Sequence, residues 1–309
     1  MRTRIVARSI SRPVRQRLGQ GQFVAQVLAV FERACNLVTP DGDVVALVTP
    51  QISNGPLNIV VDGATDLFTG INPNTPVMLE EGQLWVGGRQ IDLEEATVWE
   101  PQPDWDTLRT RCAAITAHLP RLCTLSHRYA PAGTLLTLLW ETPSSDGRVA
   151  SAIFSTATKA GQALREGWEG DLERLQEAGI GLAGLGDGLT PAGDDFLVGV
   201  MLWAWLTHPT PASFCRALRQ VAVSRTTTLA AAFLRAAARG ECGASWHALL
   251  ATLSEGTEVE ITTAVREVLT YGATSGADTL AGFLYLPITS LFPLLRSKQP
   301  GRVAGICVC

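Results

Sequence analysis

Lysine is almost missing from this chain. Lys159 and Lys298 are the only two among 309 residues, and arginine carries nearly all the positive charge. A Schiff-base or phosphate-loop lysine would have to be one of these two, and neither lies in a suitable motif. Charge of either sign is scarce, at 17% of residues, so little of the chain can be a solvated tail. The net charge of −4 leaves no basic excess of the kind a nucleic-acid binder carries. The four histidines, His118, His127, His208 and His247, are scattered, and none pairs with another His or Cys at metal-ligand spacing.

Long apolar runs are also absent. Phe196 to Leu206 is too short to span a bilayer, and Leu280 to Leu295 is interrupted by Pro287 and Pro293. We therefore expect no membrane span and a soluble, cytoplasmic protein. The seven cysteines are odd in number and widely spaced, which fits reduced thiols better than a disulfide framework. Cys307-Val-Cys309 has no histidine nearby and reads as an ordinary tail. Met1 to Leu18 holds six arginines and no acid, as a transit peptide would. It lacks a signal-peptide apolar core, so we read it as a basic tail leading into the first strand.

What is present divides in two. From Gln22 to about Pro103 the chain alternates and turns often. Phe23–Phe31, Leu57–Val61, Val77–Leu79 and Gln83–Val86 are strand candidates, and Asp41-Gly42 between two apolar runs signals a hairpin. After Pro103 the period changes. Trp105–Leu119 reads as one helix, Thr134–Trp140 fits strand or helix, and helices follow over about 150–165, 169–178, 193–207, 211–239, 244–254, 258–271 and 276–297. The expected class is α+β: a small N-terminal β barrel or sandwich, residues 1–103, then a larger, mainly α-helical domain, residues 104–309.

Chemistry concentrates in Gly184-Leu-Gly-Asp-Gly-Leu-Thr-Pro-Ala-Gly-Asp-Asp195 and in a partial echo, Gly272-Ala-Thr-Ser-Gly-Ala-Asp278. Gly193 matches Gly276, Asp195 matches Asp278, Leu197 matches Leu280 and Gly199 matches Gly282, each pair 83 residues apart. Both segments are glycine-rich loops entering an apolar helix. A helix start offers free N–H groups and a positive dipole end, which suits a small anion. Asp195 and Gly199 share one helical face, as do Asp278 and Gly282. We expect the two helices to pack near these glycines and to aim both carboxylates into one pocket.

The expected site residues follow. Asp194, Asp195 and Asp278 are candidates for proton transfer or for holding an NH₂ group. Gly184, Gly186, Gly188, Leu189, Thr190, Gly193, Ser275, Gly276 and Thr279 would contact substrate or phosphate. Arg225 and Thr228, beside a long alanine-rich helix, and Asn54, in a turn, are further binding candidates. Capping is the competing explanation: Ser275-Gly-Ala-Asp278 is close to a capping box, and the threonines of Ser224–Thr228 suit an N-cap. The acids could also bind Mg²⁺, although no cofactor is required. Gly179-Ile-Gly-Leu-Ala-Gly184 matches a dinucleotide fingerprint only formally, since it follows a helical segment rather than a strand.

The twelve-residue run resembles the signature of a bacterial family that includes the H-type subunit of oxamate carbamoyltransferase, an enzyme of anaerobic allantoin breakdown. Val27-Leu-Ala-Val-Phe31, Asn54-Gly-Pro56, Arg225-Thr226 and Gly272–Asp278 extend the likeness over most of the chain. It departs at Ala192, where the family pattern has serine. The resemblance implies a subunit working with two larger partners to transfer a carbamoyl group between oxalurate and phosphate, giving oxamate and carbamoyl phosphate. The alternatives are a scaffold or metabolite-sensing subunit, in which the glycines only pack helices, and a Mg²⁺-dependent hydrolase built on the aspartates.

Overall fold

The computed structural model describes residues 4–21, 23–62, 67–139 and 148–291. Lys298 and Cys307-Val-Cys309 lie outside them. The N-terminal part contains strands β1 (Arg4–Ser11), β2 (Val24–Val30), β3 (Ala34–Val38), β4 (Val44–Val48), β5 (Asn58–Asp62), β6 (Pro76–Glu80), β7 (Gln83–Val86), β8 (Arg89–Asp92) and β9 (Thr97–Trp99), with helix α1 (Arg12–Leu18) after β1. The strand order is β5-β4-β3-β2-β6-β7-β8-β1, and β1 pairs back to β5, closing an eight-stranded barrel. β9 pairs with the C-terminal end of β1, beyond the stretch that β8 occupies.

Alternation explains the barrel. Ile5, Val27, Leu37, Leu47, Ile59, Val77, Leu84 and Ile91 are buried in one interior cluster. The Asp41-Gly42 hairpin forms as expected: Gly42 takes a φ of +81°, and its N–H donates to the Thr39 carbonyl at 2.9 Å. The basic N-terminus corrects our reading. It is the closing strand and a helix, with Ile5, Ala7, Ile10, Val14 and Leu18 buried, Arg8 and Arg12 exposed, and Arg15 and Arg17 half-buried.

The remainder is helical: α2 (Trp105–Thr110), α3 (Cys112–Ala117), α4 (Leu119–Tyr129), α5 (Arg148–Trp168), α6 (Leu172–Leu182), α7 (Ala192–Thr207), α8 (Pro211–Ala222), α9 (Thr228–Ala238), α10 (Ala244–Glu255), α11 (Glu258–Leu269) and α12 (Ser275–Leu291). Two expected helices are each two. Trp105–Leu119 breaks at Arg111, and 211–239 breaks between Ala222 and Thr228, where Thr227 caps the new helix by accepting from the Ala230 N–H at 3.1 Å. The ambiguous segment becomes a short 3₁₀ turn, Leu135–Leu139. α12 passes through Pro287 without ending. Among the described residues, no helix is long and apolar enough to cross a membrane.

α7 is apolar around most of its circumference and runs through the middle of the helical core, packed chiefly against α12. The barrel meets the helices through Val44 and Leu57, which pack on Leu229 and Ala232 of α9. Polar ties flank this contact: Arg235 donates to the Gly42 carbonyl at 3.0 Å and the Ala244 N–H to the Asn54 carbonyl at 2.9 Å. The formal dinucleotide fingerprint lies in α6 and its end, with Gly179 against Val221 and Leu218, so it is a helix-packing feature.

Candidate functional site

The glycine-rich loop leaves α6 at Ala183 and enters α7 after Pro191. Gly184 has a φ of +71°, and a Cβ there would stand 2.6 Å from the Arg225 carbonyl oxygen. Only glycine lets the loop lie so close to the α8–α9 connection. The loop is tied down from both sides: the Gly193 N–H donates to the Leu185 carbonyl at 2.8 Å, and the Thr227 hydroxyl donates to the Leu189 carbonyl.

The helix start has no side-chain cap, since its N-cap is Pro191. The two first-turn acids therefore have other partners. Asp194 Oδ2 accepts from the Gly184 N–H at 3.0 Å and from the Thr226 hydroxyl at 2.6 Å. Asp195 is approached by the Ser275 and Thr190 hydroxyls, which are 3.0 Å apart. Asp278 Oδ1 accepts from the Leu135 N–H at 2.7 Å, with the Thr274 hydroxyl also bonded to this carboxylate. This is not the capping box that the spacing suggested, because Asp278 reaches across to the 3₁₀ turn.

The three acids are deeply covered: Asp194, Asp195 and Asp278 are 1%, 7% and 0% exposed. Each nevertheless keeps one oxygen with no hydrogen-bond partner, Asp194 Oδ1, Asp195 Oδ2 and Asp278 Oδ2. Buried polar atoms are rarely left so, and three in one cluster form a set of open acceptors. Loss of water weakens all three acids. Burial pushes Asp195 up to about 8, Ser275 opposes the shift, and the neighbouring charges of Asp278 and Asp194 add to it. Burial raises Asp278 to about 6 and moves Asp194 upward, against the bonds from Thr226 and Gly184. Near neutral pH the cluster retains at least one proton, on Asp195.

The echo corresponds to a real crossing. A Cβ on Gly199 would overlap the Thr279 carbonyl oxygen, and one on Gly282 the Phe196 carbonyl oxygen. Helices α7 and α12 touch backbone to backbone there. One turn earlier on each helix stand Asp195 and Asp278, whose charges interact.

The structure sorts the remaining sequence candidates. Thr190 and Ser275 join Asp195. Gly193 and Gly276 sit at the helix starts, but their amides do not point free at an anion. The Gly193 N–H is taken by Leu185 and the Gly276 N–H by the Tyr271 carbonyl, at 3.0 Å, and those of Asp194, Asp195 and Asp278 are also used inside the fold. These five amides are therefore occupied within the fold. Thr279 bonds the Ser275 carbonyl at 2.8 Å and packs on Gly199, as a structural residue would. Gly186, Gly188 and Leu189 form the outer, more exposed part of the loop; Arg225 and Thr228 are exposed on the adjoining segment. Asn54 is at the barrel–helix junction, accepting from the Ser9 hydroxyl at 2.6 Å, and no described hydrogen bond links it to the aspartates.

Two contributors escaped the sequence reading, the Leu135 N–H and Tyr271. Thr226 lay among the threonines beside Arg225 and Thr228, and Thr274 inside the echo, though neither was singled out as a site residue. Tyr271 keeps 41% of its surface in solvent, yet desolvation of its phenol and the charge of Asp195 raise its pKa. Among the described residues, no group of three or more His, Cys, Asp or Glu is arranged to hold a metal ion. Two open surface depressions, one lined by Glu80, Glu81, Gln83 and Trp85 and one by Gln162, Arg165, Glu166 and Glu169, lie away from them.

Residues 182–286 match the family model described as oxamate carbamoyltransferase subunit AllH, and residues 6–98 match the AllH family N-terminal domain. The first match includes both helix starts and all three aspartates; the second covers the barrel. No curated protein and no solved structure matches the chain.

Proposed function

The chain belongs to the AllH family, subunits of oxamate carbamoyltransferase, and from that premise we propose that it supplies a substrate pocket for the transfer itself, where α7 and α12 begin. The reaction would move a carbamoyl group between oxalurate and phosphate, in the cytoplasm, together with two larger partner subunits. Phosphate oxygen attacks the ureido carbonyl, the carbon–nitrogen bond to the oxamate nitrogen breaks, and that nitrogen takes up a proton as oxamate leaves. The observation that carries this reading is the set of three buried carboxylates, each with an unpartnered oxygen, on two packed helix starts. Asp195, protonated near neutral pH, suits a proton donor to the departing nitrogen.

One observation favours a second reading, a scaffold or metabolite-sensing subunit: the aspartates are nearly closed off from solvent. Thermal-shift measurements with oxamate, oxalurate, carbamoyl phosphate, phosphate and Mg²⁺, on wild type and Asp195→Asn, separate the two. Stabilisation by oxamate or oxalurate that disappears in Asp195→Asn supports the pocket. A response to Mg²⁺ alone supports a metal-dependent hydrolase instead. No response to any of them supports the scaffold.

A further inference from the structure

We infer that two of the three unpartnered carboxylate oxygens receive the two N–H groups of an uncharged amide end, the –CO–NH₂ of a carbamoyl or oxamic group, and that the substrate's anionic end lies outside the cluster. The inference rests on the proposed function and specifies which part of the substrate this site holds.

Three features of the site support it. The open atoms are Asp194 Oδ1, Asp195 Oδ2 and Asp278 Oδ2, all carboxylate oxygens in a region stripped of water. A phosphate or carboxylate placed among them would add like charge where charge is least screened. A primary amide brings two N–H donors and no charge, and hydrogen bonds to carboxylates are the stronger kind.

Five helix-start amides are also engaged inside the fold. The N–H groups of Gly193, Asp194, Asp195, Gly276 and Asp278 already donate to Leu185, Pro191, Pro191, Tyr271 and Thr274. The positive ends of α7 and α12 thus act on the aspartates of their own first turns.

The open oxygens are held in place. Each belongs to a carboxylate fixed by a donor from a different part of the chain: Gly184 and Thr226 on Asp194, Leu135 on Asp278, and Thr190 with Ser275 on Asp195. Acceptors fixed before the ligand arrives lose little freedom when it binds. The proton that the cluster retains near neutral pH also lets one acid donate to the amide carbonyl while its neighbours accept from the nitrogen.

Oxamate and pyruvate test this directly, because they share charge and shape and differ by NH₂ against CH₃. Binding to the full chain is measured by calorimetry or ligand-observed NMR. We expect oxamate to bind about tenfold or more tightly than pyruvate, phosphate not to displace it, and Asp195→Asn to bring the two affinities together. Equal binding of oxamate and pyruvate, or displacement of oxamate by phosphate, overturns this inference while leaving a substrate pocket in place. Failure of all three probes to bind overturns the pocket as well.

Discussion

Gly199 of α7 lies directly against the carbonyl oxygen of Thr279 in α12, with no room for a single added carbon. Gly282 stands in the same relation to Phe196. Glycine inside a helix costs about 1 kcal/mol relative to alanine, so this crossing is held by packing that outweighs propensity. Gly199→Ala and Gly282→Ala would regain that ~1 kcal/mol and force two backbones apart, at a cost of ~3 kcal/mol or more. The expected net loss is ~2 kcal/mol, read from the urea midpoint. Gly181→Ala in α6, which would meet only the Ala160 side chain at 3.2 Å, serves as the contrast and should change stability little.

Stability should fall as pH rises. Asp195 moves from 3.8 to about 8 and Asp278 from 3.8 to about 6 on folding, and Asp194 moves the same way. The folded chain therefore binds these protons more tightly than the unfolded chain. The stability they give is complete below about pH 4 and is lost progressively up to about pH 8. Urea midpoints taken from pH 5 to 9 should decline in wild type, after allowance for groups elsewhere. In Asp195→Asn the decline between pH 6 and 8 should be shallower. An unchanged slope would show that Asp195 is not the group that titrates.

The hydrogen bonds to the aspartates should separate in mutants. Asp278→Ala leaves the buried Leu135 N–H without its acceptor and should cost ~1–3 kcal/mol, whereas Asp278→Asn keeps an acceptor oxygen and should cost less. Thr226→Val removes the 2.6 Å bond to Asp194 and should cost ~1 kcal/mol. It should also raise the Asp194 pKa further, because that bond favours the charged form. Carboxyl chemical shifts followed against pH would report the change.

Much of the helical half was legible because apolar periodicity and Gly or Pro punctuation mark helix ends. The spacing of Gly193, Asp195 and Gly199 against Gly276, Asp278 and Gly282 was enough to anticipate a crossing, since small residues one turn from an acid restrict how two helices can approach. Partners distant in sequence were not legible. The Leu135 amide meets Asp278 from 143 residues away, and no local pattern marks a backbone N–H as a ligand. The use of the helix-start amides was hidden for a related reason. A helix start is expected to have free amides, and only the folded loop shows that the carbonyls of Leu185, Pro191 and Tyr271 occupy them. The N-terminal strand was hidden by the arginines in and around it, which obscure the buried pattern of Ile5, Ala7 and Ile10 in the sequence.

Closure of the barrel by β1 bears on the order in which the chain can fold. Residues 4–11 leave the ribosome before the rest of the barrel, but their partners are residues 59–62, 90–92 and 97–99. This strand is thus among the last of the barrel to be paired on both sides, and it must wait until its partners about ninety residues further on have been made. Such sequence-distant pairings slow folding relative to the local contacts that build helices. The helical half, whose helices form largely from near neighbours, is synthesised after the barrel yet has the shorter route to its own structure. Its α9 can then offer Leu229 and Ala232 as a surface on which β4 settles.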